Sequence, residues 1–287
     1  MPPWKSALLA LYLYGTLPLR KWRNALAAAE GHAPVMVLYY HRIADDAAGE
    51  WTFPFALFQR HMRWLRKHFD LVSLGEAQRR IRDGNHRPCV AITFDDGYSS
   101  NCDQALPLLV AEKIPCTYFV TSQNVLHGLP FEHDVVRHRP LNPNTVEQLR
   151  HFADAGIEIG CHTRTHADMA LCTPEALHEE LVTARDELES ALDRPMRYFA
   201  FPFGHRVNMS PQTFAIARAA GYEAVCSAYG GYNFPGDDPF HLQRIPADTH
   251  MLRMKNWLTV DPRKVAMHRY DYRPSPPQPA SGEAAGL

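Results

Sequence analysis

The sequence predicts an α/β protein built on a parallel sheet of the kind that closes into a barrel. Three observations carry that prediction. Apolar, β-branched runs alternate with helix-periodic segments along the chain, the pattern of strand–helix–strand units. His41, Asp95, Asp96, His162 and Phe203-Gly204 directly follow such runs, and barrels place their active sites at the C-terminal ends of strands. No Gly-x-Gly-x-x-Gly follows a first strand, which disfavours an open dinucleotide-binding sheet.

In chain order, residues 1–32 form an apolar and basic segment. Its apolar stretch, residues 7–19, is interrupted by Gly15 and Pro18 and followed by Arg20-Lys21-Trp22-Arg23. It falls short of the ~20 residues that span a bilayer, and a basic cluster does not suit a signal-peptide cleavage site. Aromatic residues flanked by Lys and Arg predict a helix that touches a membrane surface through residues 4–23, or one docked on the domain. Ala33-Pro34 opens a catalytic domain over 33–270, and residues 35–40 are its first buried strand, delivering His41. Phe55, Phe58, Met62, Leu65 and Phe69 recur at helical spacing. Ser73 and Glu76 make a capping box for a short helix. Residues 90–94 and 116–120 read as strands, with a helix over 103–113 between them.

Residues 126–143 show no period and are long for a connection, which predicts a lid or substrate-facing loop. Its His127, His133 and His138 are read as solvated. Asn144 is the expected cap of a helix ending at Gly156, and residues 157–160 form the next strand. Thr173-Pro174 starts a helix that buries Leu177, Leu181, Ala184, Leu188 and Leu192. A strand over 198–201 breaks at Pro202-Phe203-Gly204, Pro211 opens a helix stopping at Gly221, and 222–227 is a further strand. Residues 271–287, rich in Pro, Ser and Ala, form a tail expected to be disordered.

The composition is that of an ordinary globular protein, with 46% hydrophobic and 21% charged residues in 287. Thirty basic against 31 acidic residues give no field for nucleic acid. The six Cys show no Cys-x-x-Cys, and Cys89, Cys116 and Cys226, in apolar strand-like runs, read as reduced core residues, which favours a cytoplasmic or membrane-peripheral location.

Two segments carry chemistry. In Thr93-Phe94-Asp95-Asp96-Gly97-Tyr98, adjacent carboxylates at a strand end point to opposite sides. Like charges so close raise one pKa unless a cation intervenes, so the reading is one Asp on a metal and one moving a proton. Taken alone, an Asp-Asp-Gly turn explains the segment as well. In the second, Glu158-Ile159-Gly160-Cys161-His162-Thr163-Arg164-Thr165-His166, a strand runs into two His four apart. In the first turn of a helix both would share a face. Two His and one carboxylate with open positions suit a catalytic rather than a structural metal site.

Together these segments resemble the polysaccharide deacetylase family, the NodB-homology carbohydrate esterases, over residues 34–260. The resemblance implies an irregular (β/α)7-type TIM-like barrel, Asp95 as catalytic base, and Asp96, His162 and His166 as ligands of a divalent metal. Zn²⁺ is the default expectation, and Fe²⁺, Co²⁺, Ni²⁺ or Mn²⁺ also suit the donors. The chain departs from the usual pattern twice. The C-terminal Leu-x-His that supplies the acid is missing, while Leu38-Tyr39-Tyr40-His41-Arg42-Ile43 is similar to the rearranged subgroup of exopolysaccharide poly-N-acetylglucosamine deacetylases. That assigns the general acid to His41. The Arg of the third motif is replaced by Ala200 in Phe199-Ala200-Phe201-Pro202-Phe203-Gly204, so Arg244, or else Arg164, is expected to hold the base. The N–H after Pro202 is a candidate oxyanion donor, and Tyr98 and Phe203 are candidates either for stacking on a sugar or for packing.

The expected function is a metal-dependent hydrolase that removes acetyl groups from N-acetylated sugars of a polysaccharide, with an acetylated glycan as its partner. Alternatives are O-acetyl ester hydrolysis on the same scaffold and a carbohydrate-binding pseudoenzyme, the latter suggested by Ala200. A non-heme Fe(II) oxygenase shares the ligand set, but the βα pattern and the extra Asp95 argue against it.

Overall fold

The computed structural model describes residues 1–46, 49–265 and 269–273. Its strands are β1 (Val35–Tyr40), β2 (Arg42–Ile43), β3 (Thr52–Phe53), β4 (Asp70–Val72), β5 (Cys89–Phe94), β6 (Cys116–Val120), β7 (Glu158–Cys161), β8 (Tyr198–Ala200), β9 (Ala224–Cys226), β10 (His241–Leu242) and β11 (Arg244–Pro246). The main sheet runs β10-β9-β8-β7-β6-β5-β1-β11, with every pairing parallel. Because β1 occupies one edge of β5 throughout, β4 and β6 share the other edge in succession. Helices between the strands supply the crossovers that parallel pairing requires.

The ring closes through residues 241–246. β10 pairs with β9, β11 pairs with β1, and only Gln243 separates the two. Counted as one bent strand, 241–246 makes a ring of seven stations with β4 wedged beside β5, which is the expected irregular barrel. The bend costs Gln243 its ladder partners, and a side chain replaces them. The Gln243 N–H donates to Asn233 Oδ1 at 2.8 Å, and Asn233 Nδ2 donates to the Gln243 carbonyl at 2.9 Å. Both groups are buried, where an unpaired amide is costly.

Both faces of the strands are buried, as expected of a parallel sheet. Met36, Leu38, Val90 and Ile92 pack outward with Phe58, Leu106 and Leu109 of the helices. Val35, Val37, Ala91, Tyr198, Ala200 and Cys226 pack with Leu74, Ala77 and Ile81 of the helix Leu74–Asp83, the one capped by Ser73. The six cysteines are free thiols, and Cys89, Cys116 and Cys226 are buried.

Several expectations need correction. His162-x-x-x-His166 lies in a loop and not in a helix. Thr163 and His166 both have positive φ, 69° and 63°, which no helix tolerates. Thr145, not Asn144, caps the helix Val146–Asp154, in a full capping box with Gln148. The segment 126–143 holds the end of one short helix, Ser122–His127, and all of another, Glu132–Val136. Of the expected tail, residues 274–287 lie outside the described residues. The N-terminal segment is one helix, Pro3–Ala29, docked through buried Leu13 and Arg20. No described helix is long and apolar enough to cross a membrane.

Candidate active site

The C-terminal ends of β1, β5, β7 and β8 converge on a cavity of about 170 Å³ lined by His41, Asp95, Asp96, His162, His166 and Phe203. Asp95 continues β5, its N–H donating to the Tyr40 carbonyl at 2.9 Å. Asp96 then turns to φ 73° and Gly97 to φ 97°, so the two carboxylates leave the strand in different directions. A Cβ on Gly97 would meet Val120 at 3.1 Å in a backbone region that disfavours side chains.

Asp95 faces Arg244 across the barrel interior. Arg244 Nη1 and Nη2 donate to Asp95 Oδ1 and Oδ2 at 2.6 and 2.8 Å, while Nη1 also reaches Thr93 Oγ1 and Nε donates to the Ser227 carbonyl. The guanidinium carbon lies 4.8 Å from the centre of the Tyr39 ring. Such a two-pronged pair is the strong form of a charge-assisted bond. Burial alone would raise the Asp95 pKa, but Arg244 and then His162 outweigh it and hold the carboxyl below its ordinary value. Ala200, where the family motif has Arg, contributes only its carbonyl. Arg164 is engaged elsewhere, its Nε donating to Glu187 Oε1 at 2.9 Å.

Asp96, His162 and His166 form a compact donor set, with one ligand atom from each lying within 4.8 Å of the others. Asp96 Oδ1 is 3.5 Å from His162 Nε2 and 3.3 Å from His166 Nε2, and it is buried without a hydrogen-bond partner. An orphaned carboxylate oxygen between two imidazoles is what a cation would satisfy. His162 Nδ1 lies 2.8 Å from the Ala200 carbonyl, which can only accept. The proton therefore sits on Nδ1, and Nε2 keeps the lone pair that a metal needs. The residues present fit a divalent cation.

His166 is held by its loop. Its N–H donates to Thr163 Oγ1 at 2.9 Å. Buried Glu180 accepts from the N–H groups of Arg164 and Thr165, at 2.8 and 2.9 Å, and from the Thr165 hydroxyl. Glu180 sits in a π turn, Glu179–Thr183, between the helical segments Pro174–His178 and Ala184–Leu192.

The remaining candidates divide. His41 follows β1 into the cavity, 4.7 Å from the Trp51 ring, and burial pushes its imidazole below its ordinary pKa against the opposing pull of Asp96 and Asp95. Phe203 (φ 59°) is 54% exposed at the rim, its ring 5.2 Å from that of His166. Tyr98 is buried, its ring 4.7 Å from Phe131 and its hydroxyl donating to Asp134 Oδ2, which is a packing position. Sequence reasoning missed His133 and Trp51, which also line the cavity. His133 is not solvated as expected: its Nε2 is 2.8 Å from the Tyr98 hydroxyl and its ring 5.6 Å from that of His166. Neither residue lies in a periodic segment, so nothing local marked them.

Known proteins resemble both the sequence and the fold. YxkH of Bacillus subtilis (strain 168) is 25% identical over 225 residues, covering 77% of this chain and 74% of YxkH. The structure of IcaB from Ammonifex degensii superposes with a TM-score of 0.64 at 25% identity, covering 79% of this chain and 97% of that one. Streptococcus pyogenes deacetylase PplD, solved in complex with acetate, superposes at 0.67 over 80% of this chain and 100% of that one. At 20% identity it speaks for the fold alone. The polysaccharide deacetylase family model matches residues 82–225, half of the chain. With the barrel in place around the two motifs, the chain belongs to the polysaccharide deacetylase family.

Proposed function

We propose that this protein is a metal-dependent hydrolase that removes acetyl groups from N-acetylated sugars of a polysaccharide. The observation that carries the reading is the buried, orphaned Asp96 oxygen between two imidazoles, next to a second aspartate held by an arginine. Asp96, His162 and His166 would hold the cation, with Zn²⁺ the default for this donor set. When bound, a divalent cation supplies Lewis-acid polarisation of the acetyl carbonyl and acidifies water.

Asp95 takes the proton from the attacking water, as an ionised carboxylate of lowered pKa can. Arg244 fixes its rotamer and keeps it charged. His41 gives a proton to the departing amine, and a lowered imidazole pKa makes its protonated form a stronger donor. The N–H of Phe203, which has no acceptor among the described residues, is the candidate oxyanion donor. Phe203 offers an exposed ring face to a sugar. The Arg244–Asp95 pair supplies the base-orienting cation that Ala200 lacks, which favours an enzyme over a binding pseudoenzyme.

The test is acetate release from a panel of N- and O-acetylated oligosaccharides, with and without chelator. Chelator-sensitive release from the N-acetylated members is expected. Asp95→Asn should retain full metal stoichiometry and lose about 10²- to 10⁴-fold in kcat. His41→Ala should bind metal normally and cleave amides slowly. Chelator-insensitive release would overturn the metal assignment, and a fully active Asp95→Asn the base.

A further inference from the structure

The N-terminal helix uses only one of its faces for docking. Leu13 and Arg20 are buried, Arg20 Nη1 donates to the Asn256 carbonyl, and the Tyr12 hydroxyl donates to Asp261 Oδ1. On the opposite side Trp4, Leu8, Leu11, Leu19, Trp22 and Leu26 stand in solvent, from 48% exposed at Leu26 to 73% at Leu11. At about 100° per residue these six fall within an arc of roughly 80° and extend along about 33 Å of helix. Lys5 and Arg23 border the stripe on one side, about 80° from its centre line, and Lys21 lies on the other, about 120° away. All three are exposed. Residues 1–29 contain no Asp or Glu.

We propose that this face docks the protein on an anionic phospholipid bilayer, with the helix lying in the plane of the surface. A continuous apolar stripe of this length is unusual on a solitary soluble domain. A second copy is a poor occupant. Parallel pairing along the stripe would set Lys5 against Lys5, and antiparallel pairing would set it against Lys21 and Arg23, with no acid to relieve either. A bilayer with acidic headgroups matches every part: the acyl boundary takes the leucines, the two indoles sit at headgroup depth, and the basic borders meet phosphate.

The docked orientation follows from the ends of the helix. The Met1 amino group is 2.7 Å from His250 Nε2, just beyond β11, whereas the Ala28 carbonyl is 3.1 Å from His86 Nδ1, just before β5. The helix thus runs antiparallel to the strands along the outside of the barrel, from the catalytic end to the far end. The barrel would lie on its side, its mouth opening along the membrane.

Flotation of the full chain with vesicles tests this, using phosphatidylcholine alone and phosphatidylcholine mixed with phosphatidylglycerol. Binding to the anionic vesicles should be at least about tenfold tighter than to neutral ones and should weaken as salt rises. The triple variant Leu8→Ser, Leu11→Ser, Trp22→Ser should lose flotation while keeping its melting temperature and its acetate release from soluble oligosaccharides. Lys5→Glu with Lys21→Glu should lose the preference for anionic vesicles. Absence of flotation, or a triple variant that floats like the wild type, overturns the proposal. So does a solution dimer that the triple variant abolishes, since it would assign the face to a second copy.

Discussion

Arg244 has no exposed surface, and every direction around it is taken. Asp95 is in front, the Ser227 carbonyl and Thr93 hydroxyl are beside it, and the Tyr39 ring lies against its plane. Removing it leaves a carboxylate buried without a counter-ion. Arg244→Ala should therefore cost about 3–5 kcal/mol in urea denaturation, besides slowing turnover. Arg244→Lys should recover part of the stability, but little of the rate, because an ammonium cannot hold both carboxylate oxygens. His61 makes a separate prediction. It is buried with Nδ1 3.0 Å from the Tyr40 hydroxyl, and burial pushes its pKa down to about 4 from 6.5. The unfolded chain then binds the extra proton below pH 6.5, so stability falls as pH drops from 6.5 towards 4. The full cost is about 3 kcal/mol. His241, pushed down to about 3 in the same way, adds to the decline from pH 6.5 and extends it below 4. His61→Gln should make the stability profile less steep between pH 6.5 and 4, leaving the part due to His241, as measured by denaturation midpoints. At this scale most of the site was legible. Asp95, Asp96 and His162 sit next to apolar runs that mark strand ends, His166 follows His162 at a spacing of four, and Arg244 stood out once Ala200 occupied the motif position. His133 and Trp51 were not legible, because reaching the cavity depends on how aperiodic segments fold back.

The element that decides how the two candidate ligand imidazoles are placed is the loop over residues 162–166. Its spacing of four matches a helical turn, but the chain is held open by Glu180 from below and by two residues of positive φ. Local sequence could not reveal this, since Thr163 is β-branched, a residue type that rarely adopts such a backbone. The π turn that aims Glu180 inward is likewise invisible in a helix whose apolar spacing is otherwise regular. Glu180→Ala should free the loop and weaken metal affinity by about 10- to 100-fold, the range for groups that support a ligand. Glu180→Gln, which keeps one oxygen to accept from both N–H groups but loses the acceptor of the Thr165 hydroxyl, should recover part of it. Titration calorimetry with Zn²⁺ separates the two. Equal affinity in both variants and the wild type would show that the loop holds its shape unaided.

The whole molecule is a ring closed between residues far apart in sequence. Asn233 is the fastening, bonded to both backbone groups of Gln243 and, through Nδ2, to the Val35 carbonyl. Asn233→Ala would strand two buried amide groups, and a loss of about 2–5 kcal/mol is expected in denaturant melts, with the far-UV spectrum unchanged. The alternation of strands and helices announced the parallel barrel. The seam did not show, because Leu242-Gln243-Arg244-Ile245 reads as an ordinary stretch of strand. Which neighbours it finds on each side is a matter of global closure.

The stave that shuts the ring also brings the guanidinium to Asp95. During synthesis the growing chain holds all three prospective metal-binding side chains before it acquires Arg244, the partner of Asp95. Until residues 241–246 slide into place, two bare carboxylates stand in an unfinished wall, and nothing steers a proton between them. On the proposed chemistry, a nascent or nicked polypeptide could sequester metal yet remain inert toward acetyl groups, so competence requires the ring to be closed.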